Sequence, residues 1–196
     1  MTSLERTAAA LRQRGFAVSV FETAEAAADY LDSAIDNRTV GFGGSMTLEA
    51  MDLWERLRAH NQVYSHLHGF PLGPEAAEAQ VYVTSVNGLA ETGEVINIDG
   101  IGNRVASTLY GHEKVYLVAG RNKIAPTYDE ALFRARNVAA PKNAQRKQMK
   151  TPCAMQGNHC YDCRSPERIC RALAVLWGPM IGMEMEVVLI DRDLGY

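Results

Sequence analysis

Four cysteines fall within eighteen residues near the carboxyl end of this 196-residue chain. The central two have the spacing C-x2-C, which can place two thiolates on one metal atom or cluster, so zinc and an iron–sulfur cluster are both candidate cofactors. The outer gaps of six residues fit neither a standard zinc finger nor a ferredoxin, which leaves redox-active thiols and inert core cysteines as alternatives. Arg164, Arg168 and Arg171 would offset the negative charge of a thiolate site. The predicted metal ligands are Cys153, Cys160, Cys163 and Cys170.

A glycine-rich turn, residues 41–49, leads from a strand pattern into a helix pattern. Small residues let backbone amides approach an anion, and the first N–H groups and the dipole of a helix favour negative charge. The sequence therefore predicts that a phosphate or carboxylate binds at this turn. The pattern is neither a Walker A loop nor G-x-G-x-x-G, so a tight turn with a serine cap is the alternative. The residues predicted to hold the anion are Gly43, Gly44, Ser45 and Thr47.

Two further glycine-bearing turns, within residues 87–94 and 97–104, carry small polar side chains. Such loops can line a crevice at the ends of parallel strands, and we expect them to face the first turn across one pocket. Glu91 is the candidate acid, base or nucleophile; that Glu91 and Asp99 are only turn residues is the alternative. The remaining predicted ligand-binding residues are Asn87, Thr92, Gly93, Gly100, Asn103 and Arg104.

The charge of the chain is unevenly distributed. Twenty Lys and Arg against twenty-three Asp and Glu give a net charge of -3, which argues against a nucleic-acid or membrane-surface protein. Residues 131–161 nevertheless contain no acidic side chain, so this stretch could meet a phosphate, a carboxylate or an acidic partner, or could form a solvated helix face. Its basic residues are Arg134, Arg136, Lys142, Arg146, Lys147 and Lys150.

The hydrophobic pattern predicts a protein without a membrane anchor. The longest apolar stretch, residues 172–183, is far shorter than the ~18 to 20 residues of a membrane span. The first fifteen residues are interrupted by charges and lack the apolar core of a signal peptide. We therefore expect a cytoplasmic protein, where thiols stay reduced.

The elements that must position these residues have an α/β pattern. Over the first seventy residues, short strand patterns alternate with helix patterns of ten to fifteen residues, which is typical of βαβ units and a parallel sheet. Thr23 is the predicted N-cap of a helix over 24–35, and another helix is expected from Ser45 or Thr47 to near His60.

The second half of the chain has more strand and turn character. A Pro/Gly loop with Pro71 precedes it, and the dipeptides Asn87-Gly88 and Asp99-Gly100 predict a hairpin. Two expected strands cover 105–107 and 115–119. The other predicted elements are a helix over 128–136, a final strand over 187–190, one mixed, mainly parallel sheet shared by both halves, and a basic, cysteine-rich insertion or subdomain over 141–171.

Three sequence segments together resemble the LUD domain family, the lactate utilization proteins with LutC-like and LutB-like members. They are GGSMTLE at 43–49, GLAETG at 88–93 and VYLVAGRNKI at 115–124. The resemblance runs from about residue 16 to the carboxyl end and implies one domain over 1–196. It implies the fold of the ribose-5-phosphate isomerase, glucosamine-6-phosphate deaminase and CoA-transferase group, and a role in lactate or organic-acid utilization. The cysteine segment looks like that of a short cysteine-bearing branch and departs from LutC-type chains.

Three functions follow from these features. In the leading one, a small anionic ligand (an organic acid, a phosphate or a CoA-like molecule) is held by Ser45 and Thr47, with Glu91 handling protons or acting as nucleophile and Arg104 as counter-charge. The second is a sugar-phosphate isomerase or CoA-transferase-like enzyme. The third is a metal- or redox-sensing binding module. A redox protein partner and a homo-oligomer are compatible with the sequence.

Overall fold

The computed structural model describes residues 1–69 and 73–196, so Pro71 of the expected Pro/Gly loop lies outside the described residues. The described strands form two sheets. In chain order the strands are β1 Ala17–Phe21, β2 Thr39–Phe42, β3 Gln62–Tyr64, β4 Val81–Ser85, β5 Gly88–Ala90, β6 Val95–Asp99, β7 Lys114–Gly120, β8 Ile124–Ala125, β9 Ala172–Leu176 and β10 Glu184–Ile190.

Three helices begin at threonine residues whose side chains cap them. Thr2 and Thr127 each form a capping box with a glutamate three residues later, and the Thr23 hydroxyl accepts from the Ala26 amide, as its predicted N-cap role requires. The α-helices are α1 Ser3–Gln13, α2 Ala24–Ala34, α3 Met46–Glu49, α4 Leu53–Leu57, α5 Pro74–Ala77, α6 Asn103–Leu109, α7 Tyr128–Arg134, α8 Ala140–Arg146 and α9 Pro152–Gln156.

The central sheet has six strands in the order β1-β10-β7-β4-β2-β3, and all of its described pairings are parallel. Both of its faces are covered, which is typical of parallel sheets. Val118 and neighbours pack against α2, α3 and α4, whereas Leu117 and neighbours pack against α1 and the second sheet. The predicted α/β class with a mainly parallel sheet and flanking helices is confirmed.

The expectation of one shared sheet is wrong for part of the second half. Strands β4, β7 and β10 join the central sheet, but a separate four-stranded sheet has the order β8-β5-β6-β9. Its hairpin joins β5 to β6 through Gly93, which has a φ of 92° and whose amide donates to the Ala90 carbonyl. The hairpin turn therefore lies in the Ala-Glu-Thr-Gly segment and not at Asn87-Gly88 or Asp99-Gly100.

Two further predictions of secondary structure are wrong. The segment 105–107, expected as a strand, lies in α6, because the Asp99 carboxylate accepts from the Arg104 and Val105 amides at 2.8 and 3.2 Å and fixes the first turn of that helix. The single helix expected after Ser45 is split into α3 and α4, because Asp52 adopts a left-handed conformation with a φ of 51°.

The predicted insertion over 141–171 has a helical first part. A π-helical stretch, Ala135–Ala139, connects α7 to α8, and α9 follows. Residues 157–171 form neither helix nor strand, and none of them is buried. In the described part of the chain, no helix combines the length and the apolarity needed to cross a membrane.

Candidate functional site

A cavity of about 390 Å³ lies at the carboxyl ends of three adjacent strands of the central sheet. The turn after β2 contributes Gly44, the end of β4 contributes Ser85, and the 3₁₀ turn after β7 contributes Lys123. Because parallel strands end at the same edge of a sheet, these three segments meet there, as in other open α/β sheets whose ligands bind at this edge.

Seven of the predicted ligand-binding residues line this cavity. The turn after β2 and the loops around β5 and β6 therefore come together across it, although they are about fifty residues apart in the chain. The seven are Gly44, Ser45, Thr47, Asn87, Gly100, Asn103 and Arg104.

The glycines of the first turn are required by close packing. A Cβ atom at Gly43 would lie 2.4 Å from the Thr84 Oγ1 atom of β4, so Gly43 fits the turn against the sheet without itself lining the cavity. A Cβ atom at Gly44 would lie 2.9 Å from the His66 ring. Gly44 therefore brings the His66 imidazole to the cavity wall.

The hydroxyl groups of this turn are already engaged. The Ser45 side chain accepts from the Thr47 and Leu48 amides at 3.1 and 3.4 Å, and Thr47 Oγ1 donates to the Leu194 carbonyl at 3.2 Å. Ser85 Oγ donates to Thr47 Oγ1 at 3.2 Å. Because α3 is a single turn capped by Ser45, we assign these residues the role of shaping the cavity wall. The positive charge of the cavity comes from other residues.

Basic side chains from α8 and the cysteine segment supply that charge. Among the described residues, six Lys and Arg line the cavity against two Asp and Glu. Asp99 is occupied by the amides at the start of α6, and Glu167 accepts from the Lys150 amide at 2.7 Å. The cavity therefore has a net positive wall. The six basic residues are Arg104, Lys123, Arg146, Lys147, Arg168 and Arg171.

Arg146, Lys147 and Arg171 are the exposed cations of this wall. Arg146 donates to the Asn143 side chain at 2.9 Å, and no ion pair in the described ranges joins Arg146 or Lys147 to a carboxylate. By contrast, Arg168 and Arg171 are anchored on main-chain carbonyl oxygens. Burial lowers the pKa of His66, and the charges of Lys147 and Arg104 lower it further, so this imidazole is neutral at pH 7.

Lys123 is a buried amine at the base of the cavity. It is 5% exposed, and its Nζ donates to the Val86 carbonyl at 3.0 Å and to the main-chain oxygen of Tyr196 at 2.9 Å. Burial lowers its pKa to about 7, and the charges of Arg134 and Arg104 act in the same direction. Lys123 is not among the residues predicted from the sequence, although its place just after a buried strand is a signal that points to it.

Glu91, Thr92 and Gly93 lie in the β5–β6 hairpin turn and are not among the residues lining the cavity. Glu91 accepts from the Arg6 guanidinium at 2.6 and 3.1 Å. The hydrogen bonds from Arg6 and Ser3 lower the pKa of Glu91. The structure thus pairs Glu91 with α1 rather than bringing it to the other predicted residues, and we assign it no role in this cavity.

All four cysteines line a second, small pocket of about 10 Å³, and all four are half-buried and reduced. Within residues 1–69 and 73–196, no three His, Cys, Asp or Glu side chains are close enough to hold one metal ion. The pocket shares Ala140, Arg168 and Ile169 with the large cavity, so the two regions have a common wall.

Comparison with known proteins identifies the family. The LUD domain, a domain associated with lactate utilization, matches residues 4–190. A crystal structure of a DUF162 family protein from Deinococcus radiodurans is similar with a TM-score of 0.58 over 96% of both chains; at 15% sequence identity this likeness shows the fold. No curated protein matches the chain. The family match covers nearly the whole sequence, and the chain belongs to the LUD domain family.

Proposed function

We propose that this protein binds a small organic anion, bearing a phosphate or carboxylate group, in the 390 Å³ cavity. The observation that carries the proposal is the pair of exposed cations, Arg146 and Lys147, with no carboxylate partner in the described structure, at a cavity formed by strand ends. An anion there gains charge-assisted hydrogen bonds that are stronger than neutral ones. Neutral His66 and Asn103 add polar groups that can orient the rest of the ligand.

The size of the cavity limits the ligand class. Pockets for small molecules begin at about 300 Å³, so the cavity suits an organic acid or a sugar phosphate rather than a whole CoA molecule. The association of the LUD family with lactate utilization makes L-lactate one anion to test, and the positive wall makes ribose 5-phosphate another.

Calorimetric titration with L-lactate, inorganic phosphate and ribose 5-phosphate tests this proposal. We expect at least one of them to bind, and Lys147→Glu to weaken that binding about tenfold or more, because a bond to a charged group contributes roughly 1.5 to 3 kcal/mol. Lys142→Glu is the matched control, since Lys142 is an exposed lysine of the same helix that does not line the cavity. Equal losses in both variants, or no binding of any of the three at about 10 mM, would contradict the proposal.

A second candidate function is acid–base chemistry on the bound anion, as in a sugar-phosphate isomerase. It is favoured by Lys123, whose pKa of about 7 suits proton transfer near neutral pH. In its deprotonated form, Lys123 can donate two hydrogens to the oxygens of Val86 and Tyr196 and keep a lone pair for a substrate proton.

Incubating the protein with ribose 5-phosphate in deuterated water tests this second function. Proton abstraction beside the carbonyl group would form ribulose 5-phosphate and introduce deuterium, and Lys123→Met would abolish both while Lys142→Met would not. Binding of ribose 5-phosphate without any turnover would reject this enzymatic role and leave the anion-binding proposal intact.

A further inference from the structure

The cysteine segment, residues 150–171, has features that the anion cavity does not explain. Its four cysteines come from α9 and from the irregular chain that follows, yet they line one pocket. Four thiols on a single pocket are the ligand set of a tetrathiolate metal centre.

The backbone around the thiols is arranged for such a centre. Asp162, between the two central cysteines, has a φ of 45°, which turns the chain sharply within the C-x2-C pair. Its amide donates to Cys160 Sγ at 3.3 Å, and the Thr151 hydroxyl lies 3.3 Å from Cys153 Sγ. Hydrogen bonds to sulfur are among the contacts that orient and tune thiolate ligands.

Positive charge faces the same pocket. Arg136 and Arg168 both line it, and Arg168 donates to the main-chain oxygens of Cys163 and Cys170 at 2.8 and 2.9 Å. Both guanidinium groups pair with the Asp162 carboxylate, at 3.4 and 3.0 Å, so the three side chains leave one net positive charge beside the thiols.

The segment also lacks a packing reason for its conformation. Residues 157–171 contain no helix, no strand and no buried side chain. A stretch of this kind cannot be fixed by apolar burial, and a metal cross-link is the usual alternative.

We infer that the four cysteines bind an iron–sulfur cluster of the [4Fe–4S] type. A single zinc ion draws its thiolates to about 2.3 Å from one point. In the described part of the chain, no three such side chains are close enough to hold one ion, although the four thiols line one pocket. A cubane cluster takes one thiolate at each iron, so its four thiolates lie farther apart than those around a zinc ion. This inference does not depend on the anion-binding proposal.

The test is anaerobic reconstitution of the full chain with ferrous iron and sulfide. We expect about four iron and four sulfide ions per chain and a brown absorbance near ~400 nm that dithionite bleaches. Cys163→Ser should lose iron and absorbance. Met155→Ser, which changes an exposed side chain of α9 that does not line the cysteine pocket, should retain both.

The metal content and absorbance of the reconstituted wild-type protein test the cluster assignment even if Cys163→Ser fails to fold. About one equivalent of zinc in a colourless protein, or four free thiols after reconstitution, would overturn the cluster assignment. Iron retained by Cys163→Ser at the wild-type amount would also overturn it, because Cys163 would then not be a ligand.

Discussion

The anion cavity and the cysteine segment share a wall but are built in different ways. The cavity is formed by the ends of β2, β4 and β7, strands whose side chains fill the two main hydrophobic clusters. The cysteine segment has four half-buried thiols and no buried side chain over residues 157–171. Packing therefore preforms the cavity, whereas we propose that the cysteine segment is held by a bound cluster.

Removing the proposed cluster should produce the largest difference between the two regions. With iron chelated, or in Cys163→Ser, we expect the amides of residues 157–171 to exchange hydrogen roughly 100-fold faster, because local opening would no longer break metal bonds. The amides of β4 and β7 should keep their protection. Mass spectrometry can measure the hydrogen-exchange rates of both regions. An equal increase in the rates of β4 and β7 would show that the two regions are not separately stabilised.

Adding a methyl group at Gly100, in the wall shared by the two regions, should have the next largest effect, which is on the free energy of unfolding. A Cβ atom at Gly100 would lie 2.6 Å from the Ile169 carbonyl oxygen, so main chain must move. We expect Gly100→Ala to destabilise the protein by about 1 to 3 kcal/mol in denaturant unfolding.

Gly44→Ala provides the comparison for that variant. Its new Cβ would meet the His66 ring, a side chain that can rotate away, so its cost should be smaller than that of Gly100→Ala. If Gly44→Ala proves the more destabilising of the two, Gly100 does not hold the cavity against the cysteine segment.

The pH dependence of stability should report the buried amine in the cavity. The pKa of Lys123 is lowered to about 7 in the folded state, so between pH 7 and about 10 the unfolded chain binds the extra proton. Stability from this group should therefore rise with pH in that window, by up to roughly 1.4 kcal/mol per pH unit.

Urea unfolding of the wild type and Lys123→Met at pH 7.5 and 8.5 isolates this contribution. The stability of the wild type should rise relative to that of the variant, while Lys142→Met should follow the wild type. Parallel pH profiles for wild type and Lys123→Met would mean that Lys123 is charged in the cavity.

Glu91→Gln should have the smallest effect. Glu91 pairs with Arg6 in the hairpin turn and does not line the cavity, so anion affinity measured by calorimetry should stay within about twofold of the wild type. A tenfold or larger loss of anion affinity would show that Glu91 takes part in binding, although it does not line the cavity.

Local sequence signals predicted the elements that follow strong periodicity or capping. Thr23 and the buried strand β7 are examples, and the loop pairing that places Ser45 and Asn103 on one cavity was also anticipated. The acid-free stretch over 131–161 contains Arg146 and Lys147, but its composition could not separate these two residues from Lys142, which does not line the cavity.

Tertiary contacts decided what the sequence could not. Asp99 was expected as a turn residue, and its capping of α6 depends on a side chain reaching amides five and six residues later. The lowered pKa of Lys123 comes from its burial and from the charges of Arg134 and Arg104, which the fold brings close to it. Glu91 lies in the turn between β5 and β6, where its contact with Arg6, 85 residues away, could not be read from the sequence.

A crystal structure of the protein with ribose 5-phosphate would show whether a small organic anion binds in the 390 Å³ cavity. We expect the phosphate group within hydrogen-bond distance of Arg146 or Lys147, with the sugar between Ser45 and Asn103. Phosphate density at another surface, with the cavity left to water at about 10 mM ligand, would contradict it.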